Sequence, residues 1–338
     1  MPYVTKFPWK QTVPLEVKDL AGISQPLTKL IEVVSSAIGT LYKPKNIRAI
    51  ADARGYEVKV LARAESEAGI ETRRLYADAL EDRISVLARQ NPMLAERARH
   101  RLLMREIEGQ LNVEEVVEHA ALALPAAVSS EPIAIAWRRK FFQEAENVCE
   151  ADMQALWGKV LAGEIAQPGA FGLRTLETLK QVSRSEAELY RQACGVAMES
   201  GWIAMLGDDI NTTLKPFGIS FDNILALRDA GLLLHGNGIH QGFPMPEGVD
   251  RPELHREVLT NNGVFIELSG AHLSQSQFPC LLFTKAGREL QRLISVEPNE
   301  EYLSAFGTAV RQRGLVAKRG QFIPQSEFSS VLVFETDL

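Results

Sequence analysis

Apolar side chains return every three or four positions through the first two thirds of this chain, and only beyond Gly201 does the pattern shorten into brief apolar or alternating runs. The first spacing is that of a helix face, the second that of strands. Leu27, Leu30, Ile31, Val34, Ile38 and Leu41 follow Ser24 and Pro26 and end at Lys43-Pro44, which predicts one amphipathic helix with Ser24 as its N-cap. Beside that stripe, Ser35, Ser36, Gly39 and Thr40 are small enough to admit a second helix closely. From Asn46 to Gln110 nearly every residue is a helix former, interrupted strongly only by Gly55, Gly69 and Asn91-Pro92. Two or three long helices are expected there, with opposite charges three and four apart on their polar faces adding about 0.2–0.5 kcal/mol per pair. Tyr76, Leu80, Ile84 and Leu87 add a coiled-coil-like spacing suited to self-association.

A new amphipathic helix is expected from Asn112, NVEEVVEHAALAL, loosening into a loop at PAAVSSEPIA, after which Trp137, Phe141, Ala145 and Val148 form an apolar stripe. Met153, Leu156, Trp157, Val160, Leu161 and Ile165 then predict a helix with a wide buried face, ended by Gln167-Pro168-Gly169. Gly172 caps the next helix, whose Leu173, Leu176 and Leu179 continue the core, and Ser183 with Glu186 forms a capping box for a further helix that closes before Gly201. Beyond it, FDNILALRDAGLLL reads as a helix running into a strand, GVFIELSG and PCLLF as strands, and Thr284 as the cap of KAGRELQRLI. One more helix, NEEYLSAFGTAVRQRG, and a tail ending in the strand-like SSVLVFE complete the chain.

The fold class predicted is mainly α: a multi-helix N-terminal and central body with a smaller α+β, winged-helix-like C-terminal domain. The boundaries drawn are an N-terminal arm at 1–22, long amphipathic and charged helices at 23–110, a helical core domain at 111–202 and the α+β domain at 203–338.

Composition narrows the function classes. The chain has 338 residues, 46% hydrophobic and 24% charged, with a net charge of -6, which argues against a whole-chain electrostatic grip on nucleic acid. Cys149, Cys194 and Cys280 are few and far apart, which fits a reducing compartment and no disulfide framework. MPYVTKFPWKQTVPLEV has no apolar core behind its basic residues, so the expected location is the cytoplasm. Residues 27–42 carry Lys29 and Glu32 and fall short of a spanning helix; peripheral membrane contact through them is the alternative to helix packing.

The phrases PLTKLIEVVSSAIGTLYKP and FFQEAENVCEADMQALWGKVLAGEIAQPGAFGLRTLETLKQVSRSEAELY carry Leu156-Trp157, Leu161-Ala162-Gly163-Glu164, Pro168-Gly169 and Arg174-Thr175-Leu176 in order. From about Leu27 to Gly201 the chain therefore resembles the bacterial family known as domain of unknown function 2806. It departs by having Gly172 where such sequences tend to place a serine cap, a change of little cost because Gly is a tolerable N-cap. The LW-x-x-x-LAGEI phrase also resembles the core of abortive-infection alpha proteins from bacterial phage-defence genes. Neither resemblance implies catalytic residues.

Among the residues themselves, Trp157 and Glu164 lie seven apart on one helix face, and Arg174 follows the Pro-Gly corner within reach of Glu164. The three form a candidate ligand-binding set; the competing reading is an ion pair that staples the corner while Trp157 fills the core. His235, His240, His255 and His272 match no zinc spacing, so no metal site is expected. HGNGIHQG lacks the lysine and hydroxyl of a phosphate loop, no G-x-S-x-G occurs, and Asp208-Asp209 reads as a charged turn. No cofactor is expected. Lys285, Arg288 and Arg292 share a helix face and form the candidate nucleic-acid contact, although LALRDAGLLL offers a single Arg. The function expected is a non-enzymatic helical scaffold or sensor that self-associates, in anti-phage defence, with a homo-oligomer and a partner encoded nearby as its company. The alternatives are a DNA-binding regulator working through the C-terminal domain, and an enzyme using Glu164 and Arg174.

Overall fold

The computed structural model describes residues 25–38, 85–86, 88–207, 209, 213–236, 238–245, 247, 251, 255–326 and 329–338. The N-terminal arm, Ser24, Asp208 and the Tyr76, Leu80, Ile84 and Leu87 stripe lie outside them. The described residues fall into two units, one within Lys18–Leu176 and the other within Glu177–Leu338.

The first unit is helical. It contains α1 (Gln25–Ile38), α2 (Pro92–Ala123), α3 (Ile135–Ala145) and α4 (Ala151–Ala166), and α5 (Leu173–Gln181) carries the division between units. Asn91 caps α2, its side chain accepting from Leu94 N, with Pro92 at the first helical position. The break expected near Gln110 is absent, and α2 runs straight through it. Asn112 does not cap a helix; its side chain donates to Glu146 O (2.9 Å) and accepts from Gln154 Nε2 (3.3 Å). Gly109 is tolerated in mid-helix because the segment after α3 passes against it, a Cβ there meeting Glu146 Cβ at 3.4 Å.

Helices α2 and α4 approach closely at Gly158, where a Cβ would stand 2.5 Å from His119 Cβ and 2.9 Å from Ala120 N. Around that contact Val113, Val116, Val117 and Ala120 of α2 and Trp157, Val160, Leu161 and Ile165 of α4 are buried. Trp137 and Phe141 stack at 4.9 Å between centroids, and Phe141 leans on Trp157 at 5.3 Å. The apolar stripe of α1, Leu30, Ile31 and Val34, is buried in the same unit, where α1 touches α2, α3 and α4. Ser36 accepts from Arg138 of α3 and Ser35 is buried; Gly39 and Thr40, the rest of the small face, lie outside the described residues. Leu173 departs from its expected core position and is exposed, while Leu176 and Leu179 are buried.

The second unit mixes helices with two antiparallel sheets. In chain order it has α6 (Arg184–Val196), β1 (Trp202–Ala204), α7 (Phe221–Asp229), β2 (His240–Gly242), β3 (Arg256–Asn261), β4 (Val264–Ser269), β5 (Gln277–Leu282), α8 (Lys285–Gln291), α9 (Glu300–Gln312), β6 (Val316–Ser326) and β7 (Ser329–Asp337). One sheet has the order β1-β5-β2 and the other β3-β4-β6-β7. Helix α6 starts at the Ser183 and Glu186 capping box, and α7 starts at a second one, Ser220 with Asn223. Thr284 caps α8, accepting from Gly287 N at 3.0 Å and donating to Gly231 O at 2.7 Å.

Strands β3 and β4 join through Asn262 and Gly263, both at positive φ (45° and 84°), the left-handed pair that a two-residue hairpin turn requires. The turn docks on the end of α6. Asn261 Nδ2 donates to Ala197 O and Asn262 Nδ2 to Cys194 O, both at 2.9 Å, satisfying carbonyls that the helix end leaves open. The sheet residue Phe278 packs on Phe306 of α9 at 5.7 Å, and Tyr302 Oη donates to Ala204 O at 3.0 Å. The segment after Arg313, expected as a tail, is mostly the long strand β6 paired to β4 and β7.

Candidate functional site

Glu164 is the one charged residue of the α4 phrase that is buried, at 2% exposure. Gln167-Pro168-Gly169 ends α4, and the chain turns back so that Gly169 N and Phe171 N donate to the two Glu164 oxygens at 2.7 and 3.0 Å. Gly169 takes φ of +87° to make this turn. The Phe171 ring covers Gly163, where a Cβ would meet it at 2.7 Å, and Trp137 Nε1 donates to Phe171 O at 2.8 Å. The acid thus holds the corner by accepting from its backbone.

Arg174, expected to fold back onto Glu164, is exposed on α5. A cation that does reach this corner is Lys29 of α1. Its Nζ donates to Ile165 O (3.1 Å), Ser129 O (2.7 Å) and Glu131 O (2.8 Å), tying α1 to the end of α4 and to the loop before α3. Desolvation lowers the Lys29 ammonium from its usual range, opposed by the nearby carboxylates of Glu131, Glu164 and Glu32. Trp157 is buried in the core, in contact with Phe141. The structure therefore brings Glu164 together with Lys29, Trp137 and Phe171, and leaves Arg174 in solvent.

In the second unit, Lys285, Arg288 and Arg292 are exposed along one side of α8. Lys285 Nζ lies 3.7 Å from Glu289 Oε1, and the stem of Arg288 covers Gly201, where a Cβ would fall 2.3 Å from Arg288 Cγ. Helix α7 presents Asp222, Leu225 and Asp229 outward. Its single Arg, Arg228, is buried with Nη2 donating to Gly236 O at 2.8 Å.

His235, His240 and His272 are exposed and His255 is buried, and among the described residues no three His, Cys, Asp or Glu side chains converge as a metal would need. HGNGIHQG contributes strand β2 rather than a loop alone. Asp209 O accepts from Thr213 N at 2.9 Å in a turn. The thiols of Cys194 and Cys280 are pushed up to about 12 and about 11 by burial. Among the described residues no helix is long and apolar enough to cross a membrane.

A feature that sequence reasoning did not single out is the outer side of α2. Met93, Leu103, Met104, Ile107 and Leu111 are all exposed large apolar residues on one helix. Their spacing was legible, with Leu111 alone past the boundary drawn at 110 and 111. Neither the curated proteins nor the solved structures compared with this chain gave a match. The family model described as "Protein of unknown function (DUF2806)" matches residues 96–306, more than half the chain and both units, and this protein belongs to that family.

Proposed function

We propose that the protein is a non-enzymatic helical scaffold that associates with itself, and that its second unit is a winged-helix-like module serving contacts with protein. The observation that carries the reading is the apolar outer side of α2, with Met93 at 71% and Leu111 at 53% exposure. Isolated exposed apolar residues are ordinary, but a row of them on one helix marks a docking face. Glu164 speaks for a scaffold as well, since a carboxylate engaged by two backbone amides is poorly placed to take or give a proton to a substrate.

For the second unit, the order α6, β1, α7, β2, β5, with the β3-β4 hairpin inserted between the last two, and the sheet order β1-β5-β2 support the winged-helix-like reading. In such a module α7 would be the recognition helix. Its outward Asp222, Leu225 and Asp229 suit a protein surface and would repel phosphates. The setting we propose, anti-phage defence, rests on the resemblance of the LW-x-x-x-LAGEI phrase alone. Light scattering over a wide concentration range tests the scaffold reading: the average mass should rise with concentration, and a mass of one chain throughout would overturn it.

A second reading, a DNA-binding regulator, has one observation in its favour, the exposed trio Lys285, Arg288 and Arg292. It requires salt-sensitive retardation of duplex DNA that is lost when all three are replaced by Ala. No retardation at low salt would remove it.

A further inference from the structure

Helix α2 has two opposite sides. At about 100° per residue, the buried Ala95, Gly109, Val113, Val116, Val117 and Ala120 gather on one of them. Diametrically opposite, alternating steps of three and four residues bring Arg97, His100, Met104, Ile107, Leu111 and Glu114 into one line. This is the seam spacing of a two-stranded coiled coil. Met104 and Ile107, at its middle, are 41% and 46% exposed. Leu94 and Leu102 point toward the other side and take no part.

The charges on this face are divided along the helix. Arg97 and Arg101, with the single acid Glu96 beside them, lie in the N-terminal half, and Glu108, Glu114, Glu115 and Glu118 in the C-terminal half. A face so divided matches itself only when a second copy runs in the opposite direction. In a parallel pair Arg97 would meet Arg97 and Glu114 would meet Glu114, with like charges opposed at both ends.

We propose that α2 pairs with α2 of a second copy of this chain, antiparallel about a two-fold axis passing between Met104 and Ile107. The proposal rests on the self-association reading and gives it a surface, a direction and a register. Met104 packs on Ile107 of the second copy, His100 on Leu111, and Arg97 and Arg101 face Glu114 and Glu108, each contact made twice by symmetry. The paired stretch from Arg97 to Glu114 is about 27 Å long. In the single chain Glu114 Oε1 accepts from Gln110 Nε2 at 3.0 Å, a solvent-exposed bond to a carboxylate that an arriving guanidinium can join.

Charge reversal tests it, with sedimentation velocity as readout and circular dichroism as the check on folding. Arg97→Glu and Glu114→Arg should each weaken the dimer about tenfold or more, because each turns two attractive contacts into two repulsive ones. The double variant, carrying both changes on one chain, should return close to the wild-type affinity. Single reversals without effect on a wild-type dimer would overturn the α2 pairing while leaving self-association through another surface standing. Weakening by both singles with no recovery in the double would overturn the antiparallel register. A wild-type chain that is monomeric at every concentration overturns both readings.

Discussion

Replacing Glu164 by Gln removes one charge from the corner between α4 and α5 and almost nothing else. The carboxylate is 2% exposed and accepts from Gly169 N at 2.7 Å and Phe171 N at 3.0 Å. A glutamine keeps one acceptor oxygen but turns its NH2 toward the second backbone donor, so one buried N–H loses its partner. Leaving such a group unsatisfied costs about 1–3 kcal/mol, and the surviving bond loses its charge assistance. Part of this is returned because a buried charge no longer needs desolvation, for a net loss of about 2–3 kcal/mol. Urea unfolding followed by the fluorescence of Trp137 and Trp157 should show the midpoint moving down. Hydrogen exchange should report faster exchange at the Gly169 and Phe171 amides, with α6 of the other unit unchanged. An unaltered midpoint together with unaltered exchange at those amides would refute the assignment of Glu164 as the bond that holds the corner.

Gly158→Ala should destabilise the helical unit by about 1–3 kcal/mol or more, since the new Cβ would stand 2.9 Å from Ala120 N and backbone cannot swing aside; thermal unfolding measures it. His255 is buried, and among the described residues neither ring nitrogen has a hydrogen-bond partner, so His255→Leu should be neutral or stabilise by about 1 kcal/mol, and a loss above that in urea titration would reveal a missed partner. Cys149 is exposed while Cys194 and Cys280 are buried, so a thiol reagent at neutral pH should modify Cys149 rapidly and the other two only on unfolding, as peptide mass spectrometry will show. Burial raises Cys194 from 9.0 to about 12 and Cys280 from 9.0 to about 11, and burial likewise raises the Tyr190 and Tyr302 phenols above 10.0. The folded state therefore holds protons that the unfolded chain releases: this stability is complete below pH 9, falls as pH climbs beyond it, and falls more steeply past 10. A urea midpoint constant from pH 8 to about 11 would contradict that sign.

Local rules made the corners legible. Pro168-Gly169 marks the end of α4, and Ser183 with Glu186 the start of α6, because each acts within one turn of backbone. The same rules found the buried side of α4 from Trp157, Val160, Leu161 and Ile165. They failed where the partner is distant in the chain. Lys29 reaches Ile165 O across 136 residues, and nothing in its neighbourhood distinguishes it from a solvated lysine, so the nearer Arg174 took the role on paper. Asn112 has the residue type of a helix cap, but the carbonyl of Glu146 claims its side chain and α2 continues. Asn262-Gly263 was a readable hairpin signal between β3 and β4 that the reading of GVFIELSG and PCLLF as the strands passed over. The three-residue strands β1 and β2 are too short for any alternation to register, and exist because β5 supplies a partner on each side.

The outer side of α2 carries a seam-like spacing that the fold leaves uncovered among the described residues. Sedimentation equilibrium of the wild-type chain beside the Met104→Glu, Ile107→Glu double variant tests it most directly. Two carboxylates on each chain at the middle of the proposed seam should abolish pairing without disturbing the opposite, buried side of α2. The wild type is predicted to approach the mass of two chains as concentration rises while the variant keeps the mass of one with unchanged circular dichroism. Equal masses for the two proteins at every concentration would contradict the account.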